Sequence, residues 1–455
     1  MGRGRSRNRK RNGVVGKNLT PLSSMALDQK EKRIFDLRCI GPGPFGPHQF
    51  ILHELPLQKI RQQIDDGPGD GDVSITAKDL PIITLEATAA STQSYSFIDA
   101  AAVGLDSRIY HIGGLCVPFL REAHILREGY RSGSLSGEGY EDDGCTPGFY
   151  RIGGICVRQP SISGSFSGEG YEDYGCTPGC NRGSHAEVFC LEIDGGQPND
   201  KEWKRCCPMN IGRKNPLACA VDGKIYVFGG AWHGRFIGEV YNPVEDRWET
   251  LPPLEDFWAS ESPIAPMNVV VDDPEDAGNK LILVNIQGTQ PLYAFNVRKN
   301  DWDCFDKGFG LDPRYPYNDP RLRYREWPTN AVVDNFLYCY SLRRGFFGYD
   351  LNEKEWHDLK GKGWHRIHGI LEEASDGFEN IPSLFHLGGN TLCFLWSYDI
   401  FCGELPDVLS ESDVIIGCAK FKVVGTNIDK SSQSLRLGYF RSTRPAYGDV
   451  HFVRL

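Results

Sequence analysis

Three tryptophans, Trp248, Trp302 and Trp356, stand 54 residues apart each time, and each has an aromatic ring seven residues before it: Tyr241, Phe295 and Tyr349. Self-similarity at a fixed period of this size marks a chain built from repeated supersecondary units. The segments between ring and indole, Asn-Pro-Val-Glu-Asp, Asn-Val-Arg-Lys-Asn and Asp-Leu-Asn-Glu-Lys, are polar turn compositions, so each pair reads as two short strands around a turn. A second strand pair precedes each of these. Leu217 to Gly230 joins two β-rich runs at Asp222-Gly223, where Asp-Gly supplies the positive φ angles of a tight hairpin. Related hairpins are expected over Val269 to Val284, over Ala331 to Tyr340 around Asp334 and Asn335, and over Phe385 to Trp396 around Gly388 to Asn390. An earlier copy runs from Ala101 to Gly114 with its turn at Asp106 and Ser107, and its closing partner is Val188 to Trp203.

Two hairpins make a four-stranded sheet of about 35 residues, which cannot bury its faces alone and needs neighbours of its own kind. The copy from 217 to 251 carries Lys-Ile-Tyr-Val-Phe-Gly-Gly, then Tyr-Asn-Pro, then Asp-Arg-Trp. The Gly-Gly, aromatic and Trp series resembles the kelch β-propellers, and in particular the plant F-box/kelch-repeat proteins. The resemblance covers residues 95 to 425 and implies an all-β propeller of five or six blades. It assigns structural roles to Gly113, Gly114, Trp203, Gly229, Gly230, Tyr241, Trp248, Phe295, Trp302, Tyr349 and Trp356. Glycines let strands approach closely where blades converge, and the rings fill the space within and between blades. Five units are countable, and Val414 to Val424 is expected to give part of a sixth or the closing strand.

Residues 1–94 read as a basic arm and a linker-rich, partly disordered region, with Gly41 to Pro47 and Gly67 to Asp72 as turn compositions and Phe50 to Ile64 as a possible short helix. An F-box, which the family would hold here, is not recognisable after Leu55-Pro56. Residues 426–455 are expected to form a C-terminal extension or closing strands. A second repeat is different in kind: Ser132 to Gly148 and Ser163 to Gly179 match at 15 of 17 positions. Each follows a related strand, Tyr110 to Val117 and Tyr150 to Val157. The expectation is a duplicated Gly-, Ser- and acid-rich insertion, residues 132–179, displayed within the first blade.

The net charge is −10, but residues 1–17 hold seven basic groups and no acidic one, which leaves −17 on the remainder. A body this acidic repels a phosphate backbone, so nucleic-acid binding is expected only through the arm, which also reads as a nuclear-import signal or solvated tail. Fifteen cysteines spread over 455 residues, with no export signal and no apolar stretch of membrane-spanning length, read as reduced thiols in a cytoplasmic or nuclear protein.

Cys176, Cys180, His185 and Cys190 stand as C-x3-C-x4-H-x4-C, ligand types that zinc prefers, yet two of them fall in a loop repeat and a strand. No nucleophile elbow, phosphate-binding glycine loop or paired-histidine motif occurs, so neither catalysis nor a cofactor is expected. What remains is surface recognition. Loops between the second and third strands of each blade gather on one face, and two of them carry Trp232, His233, Arg235 and Phe236, and Arg343, Arg344 and Phe346. Aromatic and Arg side chains anchor protein interfaces, and the competing reading is blade-edge packing. The function expected is a protein-interaction module, with substrate recognition for a ubiquitin ligase as its finer form. The alternatives are a propeller enzyme with a metal site and a nuclear RNA-associated protein acting through the basic arm.

Overall fold

The computed structural model describes residues 33–40, 49–55, 73–75, 82–86, 99–114, 149–152, 155–158, 184–194, 202–231, 237–254, 267–286, 291–310, 329–341, 345–359, 361, 364–365, 382–400, 413–428, 436–442 and 450–455. All of them lie in one compact unit, Arg33–Leu455.

Nearly all regular structure among the described residues is antiparallel strand. Blade one consists of Ala101–Leu105, Arg108–Ile112, Val188–Glu192 and Lys204–Arg205, and blade two of Leu217–Val221, Lys224–Phe228, Gly238–Asn242 and Arg247–Thr250. Blade three holds Met267–Asp272, Lys280–Asn285, Leu292–Asn296 and Asp301–Asp306, and blade four Thr329–Val333, Phe336–Ser341, Gly345–Asp350 and Glu355–Asp358. Blade five is built from Ser383–Gly388, Thr391–Ile400, Asp413–Val424 and Arg436–Ser442, with Val73–Ile75 added in parallel at its edge. In each blade the strands pair in chain order. Asp222 and Gly223, with φ of 49° and 74°, make the tight turn that Asp-Gly predicts.

A further four-stranded sheet is assembled from both ends of the chain, in the order Val450–Arg454, Ile34–Ile40, Gln49–Glu54, Ile82–Glu86. It closes the ring. The first strand of each blade lies beside the first strand of the next, and Val450–Arg454 takes that inner place beside Ala101–Leu105. On its other side Arg454 Nη1 donates to the His386 carbonyl of blade five at 2.6 Å. An apolar cluster of Ile34, Leu55, Leu395, Ile416 and Phe452 fills that junction. Joining strands from the two ends leaves no blade without a neighbour, which removes the open edge a linear array of sheets would expose.

Three expectations change accordingly. The propeller reaches outward from 95–425 to take in Ile34–Ile40, Gln49–Glu54, Ile82–Glu86 and Val450–Arg454. Residues 49–54 are strand, not the start of a helix, because Leu52 is needed against Ile109 and Leu191 of blade one. Asp413–Val424 is the third strand of blade five, paired with Thr391–Ile400 along its length, and gives neither a sixth blade nor the closing strand. Met1 to Lys32, with the basic arm, lies outside the described residues.

The Trp spacing has a direct physical cause. Tyr241, Phe295 and Tyr349 sit opposite Trp248, Trp302 and Trp356 in register on the third and fourth strands. Their ring centroids are 5.0, 5.1 and 5.0 Å apart, so seven residues is the length of one turn between facing rings. Each Trp then packs back onto the preceding blade: Trp203 onto the closing sheet, Trp248 onto blade one, Trp302 onto blade two and Trp356 onto blade three. Its N–H is used as well. The indoles of Trp248, Trp302 and Trp356 donate to the carbonyls of Cys207, Pro252 and Phe309 at 2.9, 2.9 and 3.0 Å, each in the segment leaving the blade before.

Candidate functional site

Because the strands are antiparallel, two kinds of connection emerge at one edge of the ring: those between second and third strands, and those from blade to blade. The other edge carries short turns such as Leu105 to Arg108, Val221 to Lys224 and Val333 to Phe336. The strand ends that bound the longer connections, Thr250 and Met267, Asp306 and Thr329, Asp358 and Ser383, lie at the first edge. Ile112 and Val188, which bound the duplicated segment in sequence, are paired neighbours at this edge. Between them in sequence, Phe149–Ile152 and Ile155–Arg158 pair as two antiparallel strands.

The best-defined base on this edge lies under the connection from Phe228 to Gly238. Gly229 and Gly230 both hold φ of 73°, a left-handed conformation that glycine adopts without a Cβ penalty. A Cβ at Gly230 would lie 2.3 Å from the Lys214 carbonyl, so the second glycine also permits the approach of the segment entering blade two. Lys214 N donates to Gly230 O at 3.0 Å, and Gly229 N to Ile237 O at 2.8 Å. Beneath them Arg213 and Glu239 form an ion pair with both side chains fully buried. Arg213 donates Nη2 to Glu239 at 3.0 Å and Nη1 to the carbonyls of Gly229 at 2.7 Å and Ile237 at 3.3 Å. Glu239 also accepts from the Asn210 amide at 2.8 Å. Burial pushes the guanidinium pKa down, opposed by the Glu239 charge and hydrogen bond. The glutamate and carbonyls supply the partners a buried charge needs, and the loop is pinned at both ends.

Blade one repeats the arrangement with different partners. Gly113 N donates to Glu187 O at 3.0 Å and Gly114 N to Arg213 O at 2.9 Å, so this diglycine reaches the same entering segment. Glu187 is bound by Arg205 through two hydrogen bonds. In blades three and four the position of Glu239, two residues before the aromatic of the repeat, is taken by Tyr293 and Phe347, so neither of these blades repeats the buried ion pair.

The proposed contact residues divide. Trp232, His233, Arg235, Phe236, Arg343 and Arg344 lie outside the described residues. Ala231, which precedes them, is buried. Phe346 is corrected. It lies on strand Gly345–Asp350 and is only 5 % exposed, with its ring 4.7 Å from those of Tyr340 and Trp364 and 5.4 Å from that of Phe394. It packs blade four onto blade five and cannot touch a partner.

Cys176 and Cys180 of the zinc-like spacing also lie outside the described residues. His185 is buried with its Nδ1 accepting from Glu187 N at 3.2 Å, and Cys190 stands beside Cys206. Among the described residues no group of three or more His, Cys, Asp or Glu could hold a metal ion, and no helix is long and apolar enough to cross a membrane. Sequence reasoning missed Arg213 and Glu239. The available signal was a charged residue alternating with Val240 inside a strand otherwise expected to be buried.

Residues 212–255 match the family model described as the Kelch motif, which spans blade two with its clamp. A putative F-box/kelch-repeat protein of Arabidopsis thaliana is 24% identical over 239 residues, 51% of this chain and 56% of the relative. A second F-box/kelch-repeat protein of that plant is 26% identical over 198 residues, 43% of this chain and 46% of its own. A third, described as putative, is 28% identical over 169 residues, 35% of each chain. The matches thus span about half the length of the first two relatives or less. The diglycine of blades one and two, the facing aromatic pair of blades two to four and the backward-packed Trp stand in a closed ring of the kelch β-propeller type, and the chain is similar to the plant F-box/kelch-repeat proteins.

Proposed function

We propose that this propeller is a protein-interaction module that captures a protein partner on the edge carrying the second-to-third-strand and blade-to-blade connections, through the sequence segment 232–236 between Ala231 and Ile237, whose flanking residues the Arg213–Glu239 clamp holds. The observation that carries this reading is the asymmetry of the ring. Among the described residues one edge carries short turns, while the strand ends of the longer connections lie at the other, where the base of the Phe228 to Gly238 connection is held by buried polar bonds. Loops on a rigid scaffold are where binding residues concentrate. Trp and Arg, which this segment carries as Trp232 and Arg235, are side chains that anchor interfaces. The finer form of the reading is substrate recognition for a ubiquitin ligase, supported by the naming of the relatives as F-box/kelch-repeat proteins.

Affinity capture from plant extract with the full chain, against a variant carrying Arg235→Ala and Arg343→Ala, tests it. The expected result is loss of the captured protein at an unchanged thermal midpoint. Retention of the same partner by the double variant would exclude this edge. A cullin-ligase adaptor in the wild-type capture is the result expected of the finer form, and its absence beside a retained substrate would sink that form alone.

A further inference from the structure

The outermost strands of blades one to four are guarded by charge. Lys204 and Arg205, Arg247 and Glu249, Asp301 and Asp303, and Glu355 and Asp358 are exposed on them. Charged side chains on an edge strand keep further strands from pairing with its open hydrogen-bonding groups. Blade five differs. Its outermost antiparallel strand, Arg436–Ser442, reads Arg-Leu-Gly-Tyr-Phe-Arg-Ser, with no charge between Arg436 and Arg441.

That uncharged stretch is covered by the chain itself. Val73–Ile75 pairs with it in parallel, Val73 beside Gly438, Ser74 beside Tyr439 and Ile75 beside Phe440. The cover is lent by another sheet. Gln49–Glu54 and Ile82–Glu86 are antiparallel neighbours in the closing sheet, and the chain between them places a strand on blade five before it returns. The cover is also thin. On its inner side Arg436–Ser442 pairs with Asp413–Val424 over its whole length, whereas Val73–Ile75 reaches only Gly438, Tyr439 and Phe440. It does so in the parallel arrangement, which is slightly less stable per residue.

We infer that the outer edge of blade five is a strand-acceptor site, held closed in cis by Val73–Ile75 and opened when an extended segment of a protein partner takes the place of that strand. Main-chain hydrogen bonds supply the affinity of such an addition, and alternate side chains supply its selectivity. A partner segment that pairs along all of Arg436–Ser442 gains the residues that the cis strand leaves uncovered. The strand seated there now sets the chemistry of the occupant. It is an apolar-polar-apolar core like Val73-Ser74-Ile75, running parallel to Arg436–Ser442, with acidic residues ahead of it as Asp70 and Asp72 stand ahead of Val73 in sequence. In a parallel segment the residues ahead of the core run toward the Arg436 end, where negative charge is favoured. This site is on the outer rim of blade five and does not depend on capture at the edge that bears the long connections.

The probe is a synthetic peptide of residues 70–78, added in trans to the full chain and read by amide hydrogen exchange over 436–442. Val73→Pro combined with Ser74→Pro removes two successive amides, so the one facing the edge is lost while blade five keeps its own sequence. Exchange over Gly438–Phe440 is expected to quicken about tenfold in this variant, and the peptide to restore the wild-type rate. The wild-type chain should bind the peptide about tenfold more weakly than the variant, because its site is already filled. A peptide carrying the same two prolines should bind neither chain. Where the variant fails to fold, the wild-type chain decides: the peptide at about 10 mM, above the millimolar effective concentration of a tethered strand, should speed exchange over Val73–Ile75 and leave Gly438–Phe440 protected. Unchanged exchange in the variant, equal peptide affinity in the two chains, or protection of Val73–Ile75 that the peptide does not alter would overturn the assignment. Dimers of the variant that the peptide does not dissociate would give the edge to a second copy of the chain and overturn the assignment to a partner.

Discussion

Arg213 shows why a buried ion can be a specific feature rather than a simple source of stability. Removing its charge from water is costly, and the cost is offset because Glu239 and two carbonyls face it. Deleting one partner leaves the other charged and buried. Arg213→Ala should therefore destabilise the fold by about 3–5 kcal/mol, read from urea denaturation. Arg213→Met combined with Glu239→Leu should recover most of that, since a well-packed apolar pair removes both desolvation terms. An additive loss in the double variant would refute the clamp. Neither residue was legible beforehand, since an arginine before a hairpin and a glutamate in a strand each look like surface groups until the register brings them together. Gly229 and Gly230 were legible, because a Gly pair at a strand end has few physical uses.

At the scale of the element, the repeated device is the Trp that closes each blade onto the one before. Trp356 is the most buried of the three spaced indoles, with rings of Phe309, Phe347 and Tyr349 around it. Trp356→Phe keeps a ring in place but forfeits the bond to the Phe309 carbonyl, an expected loss of about 1–2 kcal/mol. Trp356→Ala removes the ring as well and should cost about 3–5 kcal/mol. Thermal unfolding of the two variants separates the terms; equal losses would mean that the N–H contributes and the ring does not. The pairing of ring and Trp was visible in the sequence since it depends only on strand length and turn length. That the indole faces backward was not, because both faces of a propeller blade are buried and alternation cannot tell them apart.

The whole ring depends on the junction where the closing sheet meets blade one. His111 and His451 stand across it with ring centroids 5.8 Å apart, beside Trp203. Burial holds both imidazoles neutral, His111 well below the usual range and His451 down to about 4, and His111 is lowered further by His451 and His185. An unfolded histidine titrates at about 6.5, so as pH falls the unfolded chain takes up protons that the native chain refuses. Stability contributed by these groups is complete above pH 6.5 and declines as pH falls below it, by about 1.4 kcal/mol per unit for each histidine. Between pH 7 and 5 His451 alone should cost about 2 kcal/mol, and His111 adds a loss of the same sign, measurable as urea midpoints that fall more steeply with acidity. His111→Gln with His451→Gln should flatten that slope, and an unchanged slope would place the acid sensitivity elsewhere.

What the sequence determined by itself was everything local or periodic. The hairpin turn at Asp222-Gly223, the facing pairs seven residues apart and the inability of one such sheet to stand alone all follow from short-range geometry and burial. Closure was decided only by tertiary structure. Ile34–Ile40 and Val450–Arg454 are more than 400 residues apart and bear no copy of the repeat, yet they pair because the ring leaves one gap of blade size between blade five and blade one. Backbone groups at a buried edge must find hydrogen-bond partners, and the two ends are the strands within reach.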